Sequence, residues 1–368
     1  RSSIGESAFN KNPIRGKIEK LIISDNIETI GDNAFQGCSN LKMVWLPSSL
    51  ESIGNKALDG CKSITRVSTK TKTMPSLGSD VFSTGSAYLF VPEGTESSWS
   101  GFAKVVEGHY VGDVSSDNIS YICMETGDAT EKTSMLIKAP KTASTFASSV
   151  VFEENSYPLT TIGESAFEDN TAIVNLVIPD GVKAIEANAF KNASKLRTVE
   201  FPTSIESIGD NAFEGCSLAY IQSYIQTPSA ISENVFADAV YSNATLFVSD
   251  NTSNNYNVDG WKNFTIVEGV YSEVTIEDMT YLCVMSQDKL VAKLTKSLSK
   301  TKEVKVPAKI FVDGINYQVE GIEKSAFEGN SSLEKLIVAE GIKTIGVGAF
   351  KQCSKLKSVV LPASLETI

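Results

Sequence analysis

The stretch IGDNAFQGCS occupies residues 30–39, and IGDNAFEGCS occupies residues 208–217. Ten residues recur with one change, Gln36 to Glu214. Either Cys38 and Cys216 are reactive groups written twice, or they belong to a structural unit laid down repeatedly. Aligning the chain on its Ala-Phe pairs favours the second. Phe9, Phe35, Phe167, Phe190, Phe213, Phe327 and Phe350 form one column, with Leu58, Phe82 and Phe236 as looser members. The spacing is 23 residues from Phe35 to Leu58, Phe167 to Phe190, Phe190 to Phe213, Phe213 to Phe236, and Phe327 to Phe350. Phe9 to Phe35 is 26, through three extra residues in KNPIRGK. A fixed spacing in the twenties marks a solenoid.

One full copy, IEANAFKNASKLRTVEFPTS, runs from Ile185 to Ser204. Its LRTVEFP segment alternates like a strand, with Leu196, Val199 and Phe201 inward and Thr198 and Glu200 outward. LKMVWLP, IVNLVIP and LKSVVLP are the parallel segments. Each ends in proline (Pro47, Pro179, Pro202, Pro362), which has no N–H for a ladder and stops the strand. The G-D-N-A-F piece reads as one helical turn that buries Ala and Phe on the opposite wall. Each coil covers its apolar face only against its neighbours, and a buried Phe contributes roughly 1.5–3 kcal/mol.

These residues resemble the BspA-like (Treponema-type) leucine-rich repeats of bacterial surface proteins, whose pattern I-G-x-x-A-F-x-G-C-x-x-L-x-x-V-x-I-P is matched at Ile30 to Pro47. The fold expected is an α/β leucine-rich-repeat solenoid of about 23-residue coils with a parallel sheet on one face. The resemblance implies an extracellular or surface location, outer-membrane anchoring of the full-length protein, and adhesin-like partners such as host extracellular-matrix proteins.

A second period interrupts the first. LFVPEGTESSWSGFAKVVEGHY parallels LFVSDNTSNNYNVDGWKNFTIVEGVY, with Trp99 and Trp261 separated by 162 residues. ISYICM and MTYLCV follow, with Tyr121 and Tyr281 separated by 160. The expected organisation is a first array with a tryptophan-containing end cap (1–110), a β-hairpin connector (111–156), a second capped array (157–270), a second connector (271–316) and the start of a third array (317–368). The chain opens at IGESAF without a preceding strand and stops just before the next G-x-x-A-F. That predicts a piece of a longer protein.

Across 368 residues the hydrophobic content is 42% and the charged content 21%, as in ordinary folded chains. The net charge of −11 and the absence of a Lys/Arg run argue against nucleic acid, which requires a basic face. No apolar run is long enough to span a bilayer.

Candidate chemistry gives way to structure at most positions. Cys38, Cys61, Cys216 and Cys353 share one column with Asn12, Asn170, Ala193 and Asn330. A nucleophile cannot be exchanged for Ala or Asn, whereas a small turn residue can. All six cysteines are expected to be inert thiols. His109, the single histidine, has Val270 in the sister copy, so no Ser-His-Asp or Cys-His set assembles around it. SDNTSNNYNVDG offers Asp250 and Asp259 as a weak calcium alternative, but its spacing is not that of an EF-hand. No cofactor, structural zinc or catalytic residue is expected.

The outward strand positions remain. The candidate ligand-binding residues are Lys20, Met43, Trp45 and Arg66 in the first array, and Thr198, Glu200, Tyr220 and Gln222 in the second. The leading reading is a non-enzymatic surface or secreted binding protein that presents a repeat-built sheet to a protein or glycan ligand. The alternatives are a structural spacer carrying another domain and, less favoured, a glycan- or cell-wall-acting enzyme.

Overall fold

The residue before each Ala-Phe pair takes a left-handed conformation: Ser7, Asn33, Lys56, Asp80, Ser165, Asn188, Asn211 and Ser325 all have φ between 52° and 58°. Asn and Ser recur there because short polar side chains tolerate that region best among residues with a Cβ. The conformation interrupts any helix. It also redirects the backbone donors to the next coil: Asn33 N–H donates to Asn55 O at 2.9 Å, Phe35 to Ala57 at 2.8 Å and Gly37 to Asp59 at 2.8 Å. A helix needs those donors for carbonyls four residues back. The expected helical turn is therefore a chain of hydrogen-bonded turns, and the α/β assignment gives way to a β-solenoid of about 23-residue coils. Among the described residues the one α-helix is Asp238–Asn243, and three 3₁₀ turns have three or four residues each.

The computed structural model describes residues 2–82, 87–99, 102, 104–127 and 130–368. Residues 100, 101 and 103 of the first tryptophan passage lie outside these. Residues 1–171 with 181–190 form one compact unit, and residues 172–180 with 191–368 form another.

In the first unit, Lys20–Ile22, Met43–Leu46, Arg66–Thr69, Tyr88–Val91 and Lys104–Glu107 make a five-stranded parallel sheet. A wall of short strands faces it: Ser2–Ile4, Ile27–Ile30, Ser52–Ile53 and Ser76–Leu77. Between the two lie Phe35, Leu41, Val44, Leu58, Val67 and Leu89, each at most 1% exposed. The Phe column stacks face to face, with Phe9 on Phe35 at 5.0 Å and Phe167 on Phe190 at 5.1 Å.

The second unit repeats the plan. Asn175–Val177, Thr198–Phe201, Tyr220–Ser223, Thr245–Val248 and Thr265–Glu268 form a parallel sheet, and Glu303–Val306, Lys335–Val338 and Ser358–Val360 form another. Phe213 stacks on Phe236 at 5.4 Å and Phe327 on Phe350 at 5.2 Å.

Each connector begins with an antiparallel three-stranded meander: His109–Ser116, Ile119–Thr126 and Glu131–Lys138 in the first, Val270–Ile276, Met279–Met285 and Leu290–Ser297 in the second. The leading hairpins close through two positive-φ residues, Asp117 and Asn118 or Glu277 and Asp278, as tight two-residue hairpins do. The third strand then pairs in parallel with Asn155–Ile162 or Ile315–Ile322.

Candidate functional site

The outward faces of both five-stranded sheets are partly covered by the chain itself. After the last strand of the first sheet, Gly108 (φ 133°) donates its N–H to Val91 O at 2.8 Å and turns the backbone over that sheet. Gly269 (φ 127°) does the same against Val248 O at 2.8 Å. Such φ values suit glycine. The strand that follows acts as a strap.

In the first unit Tyr110 inserts beneath this strap. Its ring lies 5.6 Å from Trp45 and 5.3 Å from Phe90, and its hydroxyl donates to Met43 Sδ at 3.6 Å. Phe90, Val106, Tyr110, Ile122, Met124 and Met135 form a separate apolar cluster, with Met43 and Trp45 packed against it. Arg66 is 8% exposed. Its Nε pairs with Asp113 Oδ1 at 3.3 Å, and its guanidinium lies 5.0 Å over the Tyr88 ring.

The second unit reaches a similar result with different residues. Tyr271 packs 4.7 Å from Phe247 and 5.2 Å from Tyr220. Arg197 grips the Glu273 carboxylate with both terminal nitrogens and lies 5.2 Å over Tyr220. Gln222, 1% exposed, donates to Phe247 O and Gly269 O and accepts from Tyr271 N–H. It fastens the start of the strap. In the first connector an extra residue bulges between Tyr110 and Gly112, so the acidic partner follows the tyrosine by three positions there and by two in the second.

The candidate residues therefore divide. Arg66, Thr198 and Gln222 are buried; Met43, Trp45, Glu200 and Tyr220 are half-buried; Lys20 is exposed. The structure gathers Met43, Trp45 and Arg66 around the first strap and Tyr220 and Gln222 around the second. The first strand of each sheet stays uncovered, with Ile22 73% and Val177 62% exposed. Lys20 and Asn175 beside them are exposed too. The signal for the straps was present as E-G-x-Y in both copies, followed by YICM and YLCV. Such nearly continuous apolar runs mark strands buried on both faces.

The second connector shows both faces engaged. Tyr271 and Glu273 meet the second sheet, while Met279, Tyr281, Cys283, Ala292 and Leu294 share one core with Val304, Phe327, Leu333 and Leu336 of the third array.

The cysteines sit within the walls. No disulfide links them, and all are buried except the half-exposed Cys353. Cys61 Sγ donates to Phe35 O at 3.3 Å and Cys353 Sγ to Phe327 O at 3.1 Å. In the same column Asn170 Nδ2 donates to Ala143 O at 2.9 Å and Asn330 Nδ2 to Ser299 O at 3.0 Å. Cys and Asn thus serve one purpose, which is to supply a donor to a carbonyl inside the coil. Burial pushes the Cys61 and Cys216 thiols up to about 12, and Cys123 and Cys283 to about 11. At pH 8 these groups stay protonated and shielded. In the native protein a soluble disulfide reagent is expected to titrate at most Cys353; in denaturant it should titrate all six thiols. Rapid native reaction of Cys38 or Cys216 would contradict a structural column.

Asp250 Oδ2 accepts the Gln287 N–H at 2.8 Å, and Asp259 pairs with Lys262 at 2.6 Å. Among the described residues no three His, Cys, Asp or Glu side chains gather as metal ligands. No helix among them is long and apolar enough to cross a membrane.

Stacked 23-residue coils, parallel sheets and a Phe column define a leucine-rich-repeat solenoid. The chain belongs to the family with the BspA type leucine rich repeat region, which is matched in six copies over residues 2–97, 144–268 and 313–368. It is similar to a leucine-rich repeat protein from Bacteroides ovatus, at 17% identity over 100% of this chain and 78% of the other, with a TM-score of 0.22. It is also similar to a leucine rich cell surface protein from Faecalibacterium prausnitzii (16% identity, 98% and 83% covered, TM-score 0.20). A third similar structure is the pneumococcal vaccine antigen PcpA (16% identity, 73% and 85% covered, TM-score 0.24). No curated protein matches the sequence.

Proposed function

We propose that this chain is a non-enzymatic binding module of a bacterial cell surface, adhesin-like, and that it presents the uncovered margins of its repeat sheets to a protein or glycan ligand. A host extracellular-matrix protein is one such ligand, and outer-membrane anchoring of the full-length protein goes with this reading. So does the five-part division at residues 110, 156, 270 and 316. One observation carries it: Ile22 and Val177, at the same position in the first strand of two arrays, point outward at 73% and 62% exposure. They contribute nothing to the core, and Lys20 and Asn175 flank them. The half-buried Met43 and Trp45 adjoin the first margin, Glu200 adjoins the second, and Tyr220 lies one strand further in. Exposed apolar residues rimmed by polar ones are the composition of binding patches. Arg66, Thr198 and Gln222 support such a surface from beneath by holding the straps.

The spacer reading also has an observation in its favour, since the straps consume the central strands of both sheets internally. A panel of immobilised matrix proteins and glycans separates the two. The binding reading expects at least one ligand whose affinity falls about tenfold or more in Ile22→Asp or Val177→Asp. Wild-type protein that binds none of the panel would favour the spacer.

A further inference from the structure

Charge is unevenly distributed along the chain. Residues 289–368 carry 13 lysines against eight carboxylates, a net of +5, whereas residues 1–288 carry 20 basic groups against 36 acidic ones, a net of −16. The lysines concentrate where the second connector enters the third array. Lys296, Lys300, Lys302 and Lys305 fall within ten residues, broken only by Glu303 among acidic groups. The corresponding stretch of the first connector, residues 136–145, holds Lys138 and Lys141.

The fold gathers these spaced lysines on one surface. Glu303–Val306 is the first strand of the third sheet, paired in parallel with Lys335–Val338. Val304 and Val306 are buried at 4% and 0%, which directs Glu303 and Lys305 outward, and both are exposed. The register places Glu303 beside Lys335 and Lys305 beside Ile337. In the other two sheets the first strand is the part that the strap leaves open. Lys335 meets Glu303 at 3.3 Å, and Glu334 meets Lys302 at 3.1 Å and Lys357 at 3.5 Å. Two carboxylates thus serve three lysines, while Lys300 and Lys305 have no carboxylate partner among the described residues. Exposed pairs of this kind are each worth about 0–1 kcal/mol, so an incoming anion can exchange for them at small cost. At physiological salt, screening acts over about 8 Å, and the acidic remainder of the chain is felt weakly at this margin.

We propose that the first-strand margin of the third array, built from Lys300, Lys302, Lys305 and Lys335, is a docking site for a sulfated polysaccharide. The proposal rests on the binding-module reading and extends it to the third sheet; its test on Lys300, Lys302 and Lys305 is separate from the test on Ile22 and Val177. Lys300, Lys302 and Lys305 follow one another along the outer strand and the loop leading into it, and Lys335 lies on the neighbouring strand about 4.8 Å away, so a linear anionic chain running along the margin meets all four. Ile337 and Val360 continue the row that begins at Lys305 and offer aliphatic contact beside it. The face contains Ile337, Ser358 and Val360 but no aromatic ring on which nucleobases could stack, which favours a glycan over a nucleic acid.

Immobilised heparin is the probe, applied to the whole chain at low salt. Wild type is expected to bind, with affinity falling steeply as salt rises. A Lys300→Gln/Lys302→Gln/Lys305→Gln variant should lose about tenfold or more, with an unchanged unfolding midpoint. The charge-matched Lys132→Gln/Lys138→Gln/Lys141→Gln variant in the first connector should bind like wild type. Absence of wild-type binding, or equal loss in the two variants, overturns the site. Equally tight binding to desulfated heparin or to single-stranded DNA overturns the assignment to a sulfated glycan.

Discussion

Trp261→Ala is expected to destabilise the second unit by roughly 3–5 kcal/mol, the range for emptying a large aromatic from a packed core. Its indole is 1% exposed. It meets Phe201 at 6.0 Å, Phe236 at 6.1 Å and Tyr256 at 5.6 Å in near-perpendicular or tilted arrangements. Nε1 donates to Ser229 O at 3.1 Å, so the ring closes the end of the array against both sheet and turn. Its counterpart Trp99 is 7% exposed, and its buried Nε1 has no hydrogen-bond partner among the described residues. Trp261→Phe should therefore cost more than Trp99→Phe, because only the first strands a carbonyl. Urea unfolding followed by far-UV circular dichroism reads both effects. A loss below about 1 kcal/mol in Trp261→Ala would mean that the ring is peripheral.

Gly269→Ala is expected to loosen the second strap. At φ 127° an L-residue is strained by about 1–3 kcal/mol before any clash. A Cβ there would also lie 2.6 Å from Met285 O and 3.0 Å from Val284 Cγ1. Relief requires the strap to lift, which would withdraw Tyr271 from Phe247 and Tyr220 and uncover aromatic surface. The variant should show a lower unfolding midpoint together with increased binding of a hydrophobic dye. Gly108→Ala should be milder, since the nearest atom to its Cβ is the methyl Thr126 Cγ2 at 3.2 Å. A Gly269→Ala protein within about 0.5 kcal/mol of wild type, with unchanged dye binding, would show that the strap is not held down at this point.

The candidate surface was less legible than the fold. Arg66 and Gln222 occupy outward strand positions with respect to their own coil. Both are covered by a segment 40 or more residues further along the chain, which no periodicity of the coil can reveal. Ile22 and Val177, by contrast, stay exposed, because the straps cross the middle of each sheet and not its first strand.

What the sequence determined unaided was the repeat. A 23-residue spacing of Ala-Phe, a period-two strand ended by proline, and a column exchanging Cys for Asn and Ala specify stacked coils, since each feature concerns contacts between neighbouring coils one repeat apart. Tertiary structure decided the rest. It made left-handed turns of the segments read as helical, because their N–H groups reach the next coil's carbonyls. It also folded each connector back over the sheet before it, because Gly108 and Gly269 reverse the chain beside an apolar surface that Tyr110 and Tyr271 can cover.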